Sequence, residues 1–184
     1  MLIIQQGFVY SNYYLLLQYA SKICDAVTLK IPNHNKLVIN EKNHAGNLDL
    51  EIGHSEVGDD PLFEIYYDNA TRLVDKLFEK HIIKTSFDTQ YVTTISSTES
   101  KNYIMQMSQE LAEILDFAGS LFAWKFPFLP EDLCFFYNGK CWLQSIAHEE
   151  ICWIYDDSND VQALLKRMKI KYTKEKGEDI PLLM

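Results

Sequence analysis

The chain has 184 residues, 47% of them hydrophobic and 13% aromatic, with only 7 Gly and 5 Pro. That is a globular composition of one-domain length, long enough to bury a full core without disulfide or metal staples, and it excludes fibrous and disordered classes. The formal net charge is −9, from 17 basic and 26 acidic residues, so a phosphate backbone is repelled and no nucleic-acid partner is expected. No run of about 18 apolar residues occurs, so no membrane span is expected, and the N-terminal stretch lacks the basic start of a secretory signal. The four cysteines, Cys24, Cys134, Cys141 and Cys152, include no CxxC pair. The expectation is a cytoplasmic protein with reduced thiols.

In chain order, residues 2–6 suit a short strand or the start of a helix. From Ser11 or Asn12, Leu15, Leu16, Tyr19, Ala20 and Ile23 recur at helical spacing to a stop near Asp25. Residues 26–31 then alternate as a strand, which Pro32 closes. Residues 33–60 read as an acidic, loop-rich elaboration around short strands at Lys36–Ile39 and Leu48–Ile52. Residues 61–68 carry two signals. Asp60-Pro61 suits a helix start, whereas Phe63, Ile65 and Tyr67 alternate like a strand. The strand is favoured, with a helix from Asp68 or Asn69 bearing the stripe Leu73, Val74, Leu77, Phe78 and Ile82.

Residues 90–96 alternate and are β-branched, as a strand requires. Ser97 or Thr98 then caps the longest predicted helix, with Ile104, Met107, Leu111, Ile114 and Ala118 at three- and four-residue spacing. Leu133 to Tyr155 reads as a β-meander. Its Asn138-Gly139 pair is the strongest short-range hairpin signal, because a type I′ turn needs positive φ at both positions. A two-residue turn there pairs Tyr137 with Lys140, Phe136 with Cys141, Phe135 with Trp142 and Cys134 with Leu143. Both faces of the pair are then apolar, as in a central part of a sheet. Ser158 caps a last helix with Val161, Leu164, Leu165 and Met168 inward, and residues 171–184 form a charged tail that frays. The sum is a single α+β domain over residues 1–184. Its antiparallel sheet of five to seven strands ends in the meander and is packed by about four helices.

Chemistry-bearing patterns are sparse. There is no G-x-S-x-G, H-E-x-x-H, phosphate loop or Rossmann glycine pattern. His148 beside Glu149 could act as a base, with Cys141 or Cys152 as the local thiol. Cys134, Cys141, His148 and Cys152 offer the atoms of a Cys3His zinc site, but at a spacing unlike any common zinc module. Buried reduced thiols and a polar turn at His148 account for the same residues. No cofactor or metal is expected.

Charge is segregated. Residues 41–68 hold eight acids against Lys42, or −7, while residues 166–176 hold +5. A solvated acidic loop explains the first run, and docking of a basic protein explains it too. On the docking reading Asp49, Glu51, Glu56, Asp59 and Asp60 supply charge, with Tyr66 and Tyr67 as aromatic anchors.

The segment Leu129-Pro130-Glu131-Asp132-Leu133-Cys134-Phe135-Phe136, followed by Gly139, Trp142-Leu143, Ser145 and Ala147-His148-Glu149, resembles a pattern in small bacterial proteins of immunity-protein type. The resemblance covers about 30 residues and transfers no catalytic residue. It implies a bacterial cytoplasmic binding protein that neutralises or holds a partner, either a basic toxin or another subunit of a complex. The expectation is therefore a non-enzymatic protein-binding domain. The alternative is a small enzyme or metal-binding domain using His148 with Glu149 and Cys141 or Cys152. A homodimer through an exposed strand or aromatic surface is compatible with either.

Overall fold

The structure is a computed structural model that describes residues 1–37, 61–92 and 94–176. Among the described residues eight strands form one open antiparallel sheet. They are β1 (Leu2–Ile4), β2 (Ala26–Leu37), β3 (Ile82–Tyr91), β4 (Thr94–Gln106), β5 (Glu131–Tyr137), β6 (Lys140–Ile146), β7 (Ile151–Ile154) and β8 (Thr173–Lys174), in the order β3-β4-β2-β5-β6-β7-β1-β8. The helices are α1 (Ser11–Ile23), α2 (Pro61–Phe78), α3 (Gln109–Leu115) and α4 (Asn159–Arg167). The α+β class and the C-terminal meander follow the sequence pattern.

All four helices contribute to one core on one face of the sheet. In α1, Tyr13, Leu16, Leu17 and Ala20 are buried at the i, i+3, i+4 and i+7 positions of an amphipathic helix. Ala70, Val74 and Phe78 of α2, Leu111 and Leu115 of α3, and Val161 and Leu165 of α4 join them. They meet alternate strand residues Val27, Leu29, Ile31, Tyr103, Met105, Leu133, Phe135, Leu143, Cys152 and Ile154. Deep in this layer the Trp124 indole N–H donates to the Tyr13 hydroxyl at 2.7 Å, and that hydroxyl donates to the Leu115 carbonyl at 3.2 Å. Both polar groups are thus satisfied where an orphan would cost about 1–3 kcal/mol. A smaller cluster of Ala26, Ile104, Cys134, Phe136 and Cys141 occupies the other face, with Val92 and Tyr155 packed against it.

Several expectations are corrected. Pro32 does not close β2, which continues to Leu37. Pro32 pairs with Ser100 of β4, but the pairing of β2 with β5 ends at Lys30, so the missing N–H lies where β2 has an edge. Residues 61–68 belong to α2, not to a strand. Ile65 is exposed, so its alternation with Tyr67 marks no buried face, and the stripe Tyr67, Ala70, Val74, Leu77 and Phe78 extends the helical spacing backwards. Ile82 opens β3 rather than completing that stripe.

The largest correction concerns residues 98–106. They are strand, and the third helix starts only at Gln109, capped by the Ser108 hydroxyl accepting from the Leu111 N–H at 3.1 Å. Asn102, Tyr103, Ile104 and Met105 are all buried, because β4 lies between β3 and β2 and is covered on both faces. A doubly covered strand loses its two-residue alternation, and the 3-4 spacing of Ile104, Met107 and Leu111 imitates a helix. Predicted strand 90–96 instead straddles the β3–β4 turn. The tail does not simply fray, since Thr173 and Lys174 pair with β1. The strand expected at Leu48–Ile52 lies outside the described residues.

The hairpin forms at Asn138-Gly139, with φ of 49° and 71°. Tyr137–Lys140 and Phe136–Cys141 pair as expected. Beyond them a bulge slips the register, so that Phe135 faces Leu143 and Cys134 faces Gln144. One extra residue in β6 turns Leu143 to the helix-covered face, against the expectation that it shares a face with Cys134. No helix among the described residues is long and apolar enough to cross a membrane.

Candidate functional site

Two places gather the chemistry. The first is built by a bulge in β5. Thr28 of β2 faces Cys134, yet Lys30 faces Glu131, so three residues of β5 span two of β2. Asp132 within that stretch has φ of 57°, a left-handed conformation that Asp tolerates better than most residues. The bulge brings both Glu131 and Asp132 beside Lys30. The Lys30 ammonium lies 3.0 Å from Asp132 Oδ2 and 3.8 Å from Glu131 Oε2. Asp132 Oδ1 accepts from the Ala147 N–H at 2.9 Å, fixing the short helical turn Ala147–Glu149. That turn presents His148, whose Nε2 lies 2.8 Å from Glu131 Oε1. The Glu131 side chain is buried, whereas that of His148 is 55% exposed.

Among the described residues the cluster sets one lysine and two carboxylates beside the imidazole. Chemically it is an imidazole oriented by a carboxylate, the arrangement of a general base. Among the described residues no activated nucleophile faces it. Ser145 is buried and its hydroxyl donates to the Leu133 carbonyl at 2.8 Å. Cys152 packs in the helix-covered core and Cys141 in the cluster on the opposite face, so the sheet separates the two thiols named with His148. Burial pushes both thiols well above their ordinary range, which keeps them protonated and unreactive. All four cysteines are buried and outside any disulfide. Glu149 is exposed on the turn beside His148. Among the described residues no group of three His, Cys, Asp or Glu side chains converges as metal ligands.

The second place is aromatic. Phe128, 80% exposed, meets the Tyr66 ring edge-on at 6.4 Å between centroids. Tyr66 itself is half-buried, and Ile65, Glu64 and Asp68 are exposed on the same helix. Tyr67 turns the other way, packs against the core, and has its phenol pushed up by burial. Tyr66 and Tyr67 therefore separate, as neighbours on a helix do, and only Tyr66 joins this surface. Asp49, Glu51, Glu56, Asp59 and Asp60 lie outside the described residues.

Sequence reasoning assigned no role to Lys30, Glu131, Asp132 or Phe128. Glu131-Asp132 carried a signal: paired carboxylates directly preceding an apolar strand, where burial demands a cation. Phe128 carried none, since an exposed aromatic between prolines reads like a core residue. Comparison with protein-family models, with curated proteins and with solved structures finds no match to this chain.

Proposed function

We propose that this chain is a non-enzymatic protein-binding domain of immunity or accessory type, acting in a bacterial cytoplasm to neutralise or hold a basic partner protein. The observation that carries the reading is the ring contact of exposed Phe128 with half-buried Tyr66, on a helix that also exposes Ile65, Glu64 and Asp68. An aromatic anchor on an element that also carries exposed acids combines affinity with electrostatic steering. The acidic run of residues 41–68 extends the same charge in sequence. The resemblance around Leu129–Glu149 adds a second line of support.

The test uses the immobilised full chain, a bacterial lysate at low and high salt, and mass spectrometry of what is retained. The reading expects one stoichiometric partner, released by high salt and weakened at least about tenfold by Phe128→Ser. A partner bound equally by wild type and by Phe128→Ser combined with Tyr66→Ala would place the contact elsewhere. Absence of any partner would remove the reading.

The enzyme alternative draws support from the 2.8 Å His148–Glu131 contact. It draws none from the thiols, for which burial opposes ionisation.

A further inference from the structure

Among the described residues β3 is the outermost strand on its side of the sheet, with β4 as its neighbour. Alternate N–H and C=O groups of such a strand point away from the sheet and form a template for another strand. The pairing of β3 with β4 is irregular at two places, between Ile82 and Lys84 and between Asp88 and Gln90. Between these bulges Lys84, Thr85, Ser86, Phe87 and Asp88 pair residue for residue with Ile104, Tyr103, Asn102, Lys101 and Ser100. The regular run is thus five residues long, with Ser86 at its centre. Ile83 and Phe87 are 58% and 53% exposed, and Lys84, Thr85 and Asp88 are also on the surface.

We infer that β3 pairs antiparallel with β3 of a second copy of this chain, about a two-fold axis at Ser86, so that one sheet runs through both copies. Symmetry restricts the register. Directly opposed residues of an antiparallel pair share a face, and a two-fold axis normal to the sheet keeps each residue on its own face. The axis must then pass between two copies of the same residue. Centring it on Ser86 uses the whole regular run and sets Lys84 opposite Asp88 of the second copy, twice. This is the charge complementarity that selects a second copy as occupant. On the same face as Tyr103, Phe87 meets Thr85 of the second copy, also twice. On the order of four to six main-chain hydrogen bonds complete the contact. A one-residue shift of the axis sets Lys84 against Ser86 or Gln90 and loses both charge pairs. The bulges at either end bend the edge away and stop the pairing from propagating further. The self-contact is isologous, and therefore closes as a dimer.

Sedimentation velocity of the full chain from about 1 to 500 μM tests the inference, with circular dichroism confirming that each variant is folded. A reversible monomer–dimer equilibrium is expected. Lys84→Asp sets like charges opposite one another and is expected to weaken the dimer about tenfold, as is Asp88→Lys. The double exchange Lys84→Asp with Asp88→Lys reverses both pairs and is expected to restore the wild-type equilibrium within about threefold. Ser86→Cys gives a second readout. Opposed Cα atoms in an antiparallel pair are about 4.5–5.5 Å apart, within disulfide reach, so mild oxidation is expected to cross-link the dimer through position 86. A monomer throughout the concentration range would overturn the inference. So would a dimer indifferent to both single exchanges, or one not restored by the double exchange.

Discussion

Asp132→Ala is the sharpest probe of how the charge cluster holds the sheet together. The Asp132 side chain is 5% exposed; it pairs with the Lys30 ammonium at 3.0 Å and accepts from the Ala147 N–H at 2.9 Å. Removing it leaves a lysine whose side chain is 12% exposed beside the more distant Glu131 carboxylate, at 3.8 Å. Breaking a buried pair by deleting one partner costs about 3–5 kcal/mol, and an orphaned N–H about 1–3 kcal/mol. Glu131 recovers part of the first cost. The alanine must also hold φ near 57°, at about 1 kcal/mol more. With about half of the first cost recovered, the expected loss is about 4–6 kcal/mol. Asp132→Asn keeps an acceptor for Ala147 and tolerates the backbone, so it should lose only about 1–2 kcal/mol. Lys30→Met combined with Asp132→Asn should cost less than the sum of the two single changes, because the two residues are in contact. Urea unfolding read by midpoint at unchanged slope measures each value. An Asp132→Ala loss below about 1 kcal/mol, or one equal to that of Asp132→Asn, would refute the bulge-and-cation account.

Three further outcomes follow from the same structure. Burial raises the thiols of Cys24, Cys141 and Cys152 above the ordinary value of 9.0, and pushes the Tyr103 phenol up to about 12. The folded chain then keeps protons that the unfolded chain releases, so this stability is fully present below about pH 9 and is lost as pH rises further. The urea midpoint should fall between pH 8.5 and about pH 10.5, and native thiols should react with a disulfide reagent only at the rate of unfolding. Gly139→Ala meets open space but must adopt φ of 71°, so it should destabilise by about 1 kcal/mol through backbone strain alone, read by thermal melting. Phe128→Ser should leave the unfolding midpoint within about 0.5 kcal/mol, because that ring is already largely in water; a larger loss would mean it belongs to the core.

Much of the fold was legible wherever one local signal stood alone. Asn138-Gly139 located its turn, Ser158 capped α4 by accepting from the Val161 N–H at 3.4 Å, and α1 ran from Ser11 as its stripe implied. Legibility failed where two signals competed. At residues 61–68 a brief alternation outweighed the proline that starts α2. In β4 four consecutive buried residues erased the period that would have marked a strand. The candidate site was half visible: His148 stood out as a lone imidazole, but its partner is not its neighbour Glu149 but Glu131, which is 17 positions away in the chain.

The sequence by itself determined the class of the protein: a one-domain α+β chain, acidic, with three of its four cysteines in apolar strands and helices amphipathic enough to cover one face of a sheet. Those properties depend on composition and on periods of two and 3.6 residues, which are local. Only the tertiary structure decided the register. Bulges in β5 and β6 and at both ends of the straight run of β3 each add or shift one residue. One residue is enough to turn Leu143 to the opposite face, to set two carboxylates on Lys30, and to leave Lys84 through Asp88 as a self-complementary edge. No local period encodes such a shift, because its cost and its gain come from strands far apart in the chain.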